Sequence, residues 1–365
     1  MKPIIDSIIA IVPRLPPAID GLGDYGLNLA EQVRQYFGLL TDFVVGDSNW
    51  SGDPLIRGFT VKQVAEHSSA ALLKLLPKDQ HSRTTVLLHY VGYGYAKRGC
   101  PVWLVEGLER WRKAGTSRHL VTMFHEIYAF GSIWTSQFWT SPLQRNLATR
   151  LVCLSDRCLT NKQGYAEILT KLSQGKHHQV PTLPVFSNVG EPKNLISLSE
   201  RPRQLIIFGG AGMRSRVYQQ SQLALQRTCL ELEIETILDI GTPLNFEIKP
   251  VNNIPVICLG VKSAEEVSNL LANSVTGFLN YPIEFLAKSG VFAAYCAHRL
   301  LPIGTWYKGQ NVDGLQAGKH YWLGDKYQYK MNLSAGQIVA DNAYSWYQNH
   351  QLSMQAHTFI NCLIK

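Results

Sequence analysis

Short, nearly continuous apolar runs alternate along this chain with segments whose apolar residues have helical spacing. Strands that are apolar on both faces and alternate with helices form parallel sheets covered by helices on both sides. The runs predicted as strands are 4–12, 41–46, 84–92, 119–126 and 150–155, then 204–212, 234–241, 255–261 and 275–282. The segments predicted as helices are 26–37, 61–76, 102–115, 141–150 and 217–231, with two more that begin at Ala264 and Ser289.

The pattern breaks in a proline-rich stretch and then restarts, and 365 residues exceed what one hydrophobic core usually supports. The sequence therefore predicts an α/β protein of two doubly wound Rossmann-like domains. The predicted parts are an N-terminal domain over 1–185, a linker over 186–203, a C-terminal domain over 204–344, and a C-terminal helix within 345–365 that crosses back to the first domain.

The composition predicts a cytoplasmic protein. No apolar run reaches the roughly 18 residues of a membrane-spanning helix, and Asp6 interrupts the apolar run that an N-terminal signal peptide would need. Seven scattered cysteines without a CxxC pair fit reduced thiols. The net charge of +8 contains no long basic run, which suits a phosphorylated ligand or peripheral contact with the inner face of a membrane better than a nucleic acid.

Three glycine-rich or basic turns follow predicted strands, where doubly wound sheets bind ligands. Gly21, Gly23 and Gly26 fall within six positions after the first strand, with Asp24 among them. Gly209, Gly210 and Gly212 precede Arg214 and Arg216. Such a turn can hold phosphate on helix-start amides, or it can be a tight turn with two solvated arginines, and both interpretations stay open.

A third turn has the sequence Lys288-Ser289-Gly290, in which Ser289 is a candidate N-cap. A lysine beside the amides of a helix start would suit a phosphate, although a capped core helix with an exposed lysine has the same sequence. His125 and Glu126 end another predicted strand. This histidine is either a functional group or a packed one.

Other chemistries lack their motifs. The sequence contains no GxSxG, no P-loop and no HExxH. It also lacks an Asp-x-Asp pair that would seat a divalent ion, so we expect neither a metal site nor a cofactor.

Four segments resemble those of GT-B glycosyltransferases in the same order: GLGDYGLNLAEQV, FHEIY, LPVFSNVGEP and KSGVFAAYCAHRLLPI. The chain is most similar to the retaining group 1, family 4 enzymes of bacterial exopolysaccharide clusters, and among them to cyanobacterial enzymes of envelope polysaccharide synthesis. A further match is SPLQRNLATRLVCLSDRCLTNKQGYAEIL.

The resemblance implies two domains facing a deep cleft, the first on the acceptor side and the second holding the nucleotide sugar. It places His125 at the donor sugar, with Glu126 orienting the loop, as the catalytic pair. The donor-binding residues that it implies are Gly21, Gly23, Asp24, Gly209, Gly210, Arg214, Arg216, Gly260, Val261, Lys262, Lys288, Ser289 and Gly290.

The implied reaction is transfer of glucose from UDP-glucose, with retention and without metal, to a hydroxyl of an oligosaccharide or lipid-linked saccharide. Two alternatives are a UDP-sugar epimerase and a non-catalytic protein that binds sugar nucleotides. Three positions depart from the family. Ala294 stands where a second glutamate is usual, Glu284 is only near the first, and Gly210 replaces a usual arginine.

Overall fold

The computed structural model describes residues 5–78, 84–115, 118–129, 136–305, 312–325 and 330–364, with only the backbone of 136–139. The chain forms two compact units. Unit 1 comprises Met1–Leu183 and Leu352–Lys365, and unit 2 comprises Pro184–Gln351. Residues 186–203, predicted as a linker, and residues 345–351 belong to unit 2.

Unit 1 is built on a seven-stranded sheet in the order β3-β4-β2-β1-β5-β6-β7, parallel except between β3 and β4. Its strands are β1 (Ser7–Val12), β2 (Leu40–Val45), β3 (Leu55–Ile56), β4 (Phe59–Gln63), β5 (Thr84–Tyr90), β6 (His119–Phe124) and β7 (Arg157–Thr160). Its first helices are α1 (Gly21–Phe37), α2 (Ser69–Leu75), α3 (Gly92–Tyr95), α4 (Val102–Lys113), α5 (Ser136–Leu154) and α6 (Gln163–Leu172). Val12 pairs with Val45, and Tyr90 pairs with Phe124, so these strands end at one edge.

Unit 2 contains a six-stranded, all-parallel sheet in the order β10-β9-β8-β11-β12-β13. Its strands are β8 (Gln204–Phe208), β9 (Thr236–Ile240), β10 (Val256–Gly260), β11 (Thr276–Leu279), β12 (Leu301–Gly304) and β13 (Trp322–Leu323). Its helices are α7 (Ala211–Gln220), α8 (Gln222–Glu231), α9 (Ala264–Ala272), α10 (Gly290–Ala297) and α11 (Leu333–Gln348). The last helix of the chain, α12 (Leu352–Leu363), belongs to unit 1.

Both units have the parallel α/β architecture that the alternating pattern predicts, and each has an apolar core between sheet and helices. Within the described ranges, no helix combines the length and the apolar composition needed to cross a membrane.

Three predicted elements are wrong in detail. Residues 150–155, predicted as a strand, lie almost entirely in α5, and the strand is β7 a few residues later. A short apolar run cannot be distinguished from one face of a buried helix by its period, and Leu151 and Val152 are fully buried on such a face. The predicted helix over 61–76 is β4 followed by α2, whose N-cap is Ser68. The helix predicted over 217–231 is interrupted at Ser221 and divides into α7 and α8.

Candidate functional site

The first glycine-rich segment begins a helix and is not a turn. α1 starts at Gly21, five residues earlier than predicted, because Asp20 caps it. The Asp20 carboxylate accepts hydrogen bonds from the amides of Leu22 and Gly23 at 2.8 and 3.2 Å. A side-chain acceptor at the N-cap satisfies amides that would otherwise lack a partner and so extends the helix backwards.

The chain's own backbone explains the missing side chain at Gly23. A Cβ there would collide with the carbonyl oxygen of Arg14, in the segment that follows β1. Asp24 adds a second carboxyl group at this helix start, where burial raises its pKa against the lowering effect of Arg57. A phosphate here would compete with carboxylate for the same amides. The assignment of Gly21, Gly23 and Asp24 to the donor stays a prediction.

His125 lies in a buried pair of histidines. It directly follows β6, and its Nε2 atom lies 3.2 Å from Nδ1 of His89, near the end of the neighbouring strand β5. Burial lowers the pKa of His89 to about 3, so this ring is neutral at physiological pH. Glu126 follows at the same strand end, half-buried, with its amide 3.4 Å from the carbonyl oxygen of Tyr90.

Tyr25 of α1 packs edge-on against both histidine rings, with centroid distances of 5.0 Å to His125 and 5.8 Å to His89. Its hydroxyl donates to Oε1 of Gln355 on α12 at 2.6 Å. The histidine pair is therefore enclosed by groups from two strands and two helices of unit 1.

Asn161 is a residue that the sequence analysis missed. It directly follows β7, is 1% exposed, and donates from Nδ2 to the carbonyl oxygen of His125 at 3.4 Å. Its Oδ1 atom is buried and has no hydrogen-bond partner among the described residues. A polar residue directly after a strand is a signal for a candidate site residue. The sequence pattern places this strand at 150–155 instead of Arg157–Thr160, so Asn161 does not follow the predicted strand.

In unit 2, three glycines with positive φ follow or end neighbouring strands. Gly209 after β8, Gly241 after β9 and Gly260 at the end of β10 have φ of 125°, 148° and 69°. The Gly209 amide donates to Ile240 at 3.2 Å, and the Gly241 amide donates to Gly260 at 2.9 Å. A Cβ on Gly241 would lie 2.7 Å from the Gly209 oxygen. In this glycine edge, Gly209, Gly241 and Gly260, only glycine adopts the backbone conformation without strain. A Cβ on Gly209 would also meet Val291 at 2.9 Å and one on Gly241 would collide with Arg214, whereas one on Gly260 would meet nothing within 4 Å.

The N-terminus of α7 lies beside the glycine edge, and no side chain caps it. Gly210 is its N-cap and supplies no side-chain acceptor. A Cβ on Gly210 would meet nothing within 4 Å. Arg216, one turn into the helix, is half-buried and lies 3.5 Å through Nη2 from the carbonyl oxygen of Asn280 after β11. Uncapped first-turn amides and a nearby guanidinium suit an anion.

Arg214 does not have the solvated position that one interpretation predicted. It is 1% exposed and forms an ion pair with Asp239 of β9 through two nitrogens, one of them Nε at 3.1 Å from Oδ2. It also donates to the carbonyl oxygen of Thr242 at 2.7 Å. Tyr218 donates to the same carboxylate at 2.9 Å. The guanidinium thus ties α7 to the end of β9.

The third turn has the predicted cap. Ser289 accepts a hydrogen bond from the Phe292 amide at 3.2 Å, and α10 begins at Gly290, where a Cβ would meet nothing within 4 Å. Lys288 is half-buried and lies through Nζ 5.5 Å from the ring centroid of Phe285. Ala294, at the position of the missing glutamate, is fully buried inside α10.

The segment after β10 is partly exposed. Val261 is 56% exposed. Lys262 pairs through Nζ with Glu266 at 3.0 Å, and Glu266 also forms a capping box with Ser263. This is a surface ion pair, which contributes little to stability.

Two groups of predicted residues are brought together. His125 and Glu126 share one strand end in unit 1, while Gly209, Gly210, Arg216 and Gly260 lie at the carboxyl ends of neighbouring strands in unit 2. Among the described residues, no three His, Cys, Asp or Glu side chains form a group that could hold a metal ion.

No protein-family model matches the sequence, and no curated protein matches it. Solved structures do match. An α-glucosyltransferase in complex with UDP and DNA has a TM-score of 0.62 at 10% identity, over 98% of this chain and 99% of that one. An E. coli trehalose-6-phosphate protein bound with UDP-2-fluoro glucose has a TM-score of 0.62 at 11% identity, over 98% and 99%.

The lipopolysaccharide outer core galactosyltransferase WaaB has a TM-score of 0.50 at 12% identity, over 98% of this chain and 99% of WaaB. The fold is accordingly that of the GT-B glycosyltransferases, with two Rossmann-like α/β domains. The narrower resemblance to family 4 and to cyanobacterial enzymes is not supported by these comparisons.

Proposed function

We propose that this protein is a glycosyltransferase that uses a UDP-sugar as donor. The observation that carries the proposal is the glycine edge of unit 2 with the open start of α7 beside it. The open backbone at Gly210 and Gly260, the uncapped helix amides and the cation Arg216 together suit a diphosphate. Two structures of similar fold contain UDP or a UDP-sugar analogue, which supports the same choice.

The leaving group of such a transfer is a diphosphate, on which negative charge accumulates as the sugar departs. Preorganised donors that face this charge are usually the largest catalytic contribution. We assign that role to Arg216, Lys288 and the amides that begin α7 and α10. Arg214 holds α7 in place through Asp239. Gly260, Val261 and Lys262, at and after the end of β10, are assigned to the base of the nucleotide.

His125, with Glu126 beside it, is assigned to the donor sugar. A buried, hydrogen-bonded pair of rings in which His89 is neutral suits uncharged hydroxyls better than phosphates. We further propose that the transferred sugar is glucose and that the transfer retains configuration. The reaction needs neither a metal nor a cofactor. The acceptor is an oligosaccharide or a lipid-linked saccharide at the inner face of a membrane. We propose a saccharide acceptor over DNA, which one similar structure binds, because the sequence lacks a basic run.

The first test is binding and turnover of UDP-glucose in the presence of EDTA. At a ligand concentration of about 100 times Kd we expect roughly 2.7 kcal/mol of stabilisation in thermal unfolding, and release of UDP when saccharide acceptors are added. Binding without UDP release would favour the non-catalytic alternative, and release of a free epimerised sugar would favour the epimerase. A shift abolished by EDTA would end the metal-independent proposal.

The second test is Lys288→Ala, followed by calorimetric titration of UDP and of uridine. A charge-assisted contact contributes on the order of 1.5–3 kcal/mol, so UDP should bind at least tenfold more weakly while uridine, which lacks phosphates, changes little. Lys319→Ala, at an exposed lysine of the same unit, is the control. Parallel weakening of both ligands would remove Lys288 from the phosphate site.

A further inference from the structure

The short distance between the ring nitrogens of His89 and His125 implies that one of them carries a proton and the other does not. Nδ1 of His89 and Nε2 of His125 are 3.2 Å apart, and both rings are buried. One nitrogen donates and the other accepts, since two N–H groups or two lone pairs would repel each other. Which ring donates therefore determines where His125 carries its own proton.

The surroundings of His89 indicate that it is the donor. Its ring lines a small cavity of about 10 Å³ whose other walls are apolar except for Thr41, among them Ala10, Leu29 and Phe359. Nε2 of His89 points toward α1, 3.9 Å from the position of a Cβ on Gly26. Nε2 has no hydrogen-bond partner among the described residues, and folded proteins almost always avoid a buried N–H without an acceptor. The proton of His89 therefore belongs on Nδ1.

We propose that His89 is a positioning residue, which donates Nδ1–H to Nε2 of His125 and so holds His125 in the form that carries its proton on Nδ1. This inference rests on the proposed function, in which His125 contacts the donor sugar. In that form the second ring nitrogen of His125 can only donate a hydrogen bond, and its partner on the sugar is an oxygen lone pair.

Tyr25, which is hydrogen-bonded to α12, packs against the histidine pair. The edge-on packing of Tyr25 against both rings restricts their rotation. The Tyr25 hydroxyl is directed away to Gln355, which is fully buried. The ring of Tyr25 therefore restricts the orientation of the two histidine rings, whereas His89 determines which nitrogen of His125 carries the proton.

The test is long-range ¹H–¹⁵N correlation of histidine-labelled protein without any sugar nucleotide, with the His125 signals assigned from the spectrum of His125→Asn. We expect the wild type to show His125 neutral with its proton on Nδ1. His89→Asn keeps an N–H donor near the position of Nδ1 and should preserve that form. His89→Leu removes the donor and should yield a mixture of both neutral forms. Tyr25→Phe, which keeps the ring, should resemble wild type.

Turnover then separates positioning from folding. With UDP-glucose, His89→Leu should lose at least tenfold in kcat while UDP affinity stays within twofold, and His89→Asn should recover most of the loss. His125 protonated on Nε2 in the wild type, or equal effects of Leu and Asn on its proton position, would overturn the inference. A wild-type protein that does not bind UDP-glucose would refute the proposed function instead, because the spectra are recorded without it.

Discussion

Two helix starts that look alike in sequence differ in structure. At α1 the glycine Gly23 is pressed against the Arg14 carbonyl, and Asp20 occupies the first amides. At α7 the glycine Gly210 faces open space and no side chain caps the helix. A glycine that follows a strand can thus serve the packing of the chain itself, or it can leave room for something that is not part of the chain.

The polar groups divide in the same way. Unit 1 presents a buried histidine pair in which His89 is neutral. Unit 2 presents open backbone at Gly210 and Gly260 together with the cations Arg216 and Lys288. Arg214, by contrast, is held in a buried ion pair with Asp239. The groups of unit 1 suit an uncharged sugar and those of unit 2 suit a diphosphate. The proposed function assigns the two parts of the donor in this way.

The largest expected effect comes from separating Arg214 from its partner. Asp239→Asn leaves a buried guanidinium without its charge partner, and such a change costs about 3–5 kcal/mol in the free energy of unfolding. Urea unfolding measures it. The control Asp341→Asn removes an exposed pair with Arg299 and should cost about 1 kcal/mol or less. Similar small losses for both would show that Arg214 is not a structural arginine.

A methyl group at each of two glycines extends the comparison of helix starts to α10, where a Cβ on Gly290, as on Gly210, would meet nothing within 4 Å. Gly23→Ala should lose about 1–3 kcal/mol of stability, because the backbone of Arg14 cannot move aside cheaply. Gly290→Ala should keep or slightly raise stability, by up to about 1 kcal/mol, and should weaken UDP binding. Thermal unfolding and calorimetry measure the two effects. Unchanged UDP affinity in Gly290→Ala would remove the α10 start from the donor site.

A further effect is the pH dependence that His89 imposes on the stability of unit 1. Its pKa falls from 6.5 in the unfolded chain to about 3 in the folded protein. Below pH 6.5 the unfolded chain therefore binds a proton that the folded protein does not. The free energy of unfolding should fall by about 1.4 kcal/mol per pH unit as the pH drops toward 3.

Urea unfolding of wild type and His89→Asn between pH 7 and pH 5 measures this slope. The variant should lose less stability over that range than wild type, whatever its stability at pH 7. In unit 2, burial lowers the pKa of His298 to about 4, and His298→Asn is the matched variant there. Equal slopes for wild type and His89→Asn would mean that His89 accepts a proton in the folded protein.

Local features of the sequence predicted much of the fold. The alternating pattern identified most strands of both sheets, and Ser289 was identified as the cap of α10. The strand predicted over 150–155 was wrong, because a short apolar run fits a buried helix as well as a strand. Ser68 and Asp20, which start α2 and α1, are caps whose effect was not anticipated.

The sequence by itself determined two parallel α/β sheets, and it indicated His125 and the glycines of the strand ends as candidates, because period, caps and turns are short-range properties of a chain. Only the tertiary structure decided the partners. Arg214 meets Asp239 across 25 positions, His89 meets His125 across 36, and Tyr25 meets Gln355 across 330. Such pairs form where strand order and helix packing bring distant residues together, and no local pattern records which residues those will be.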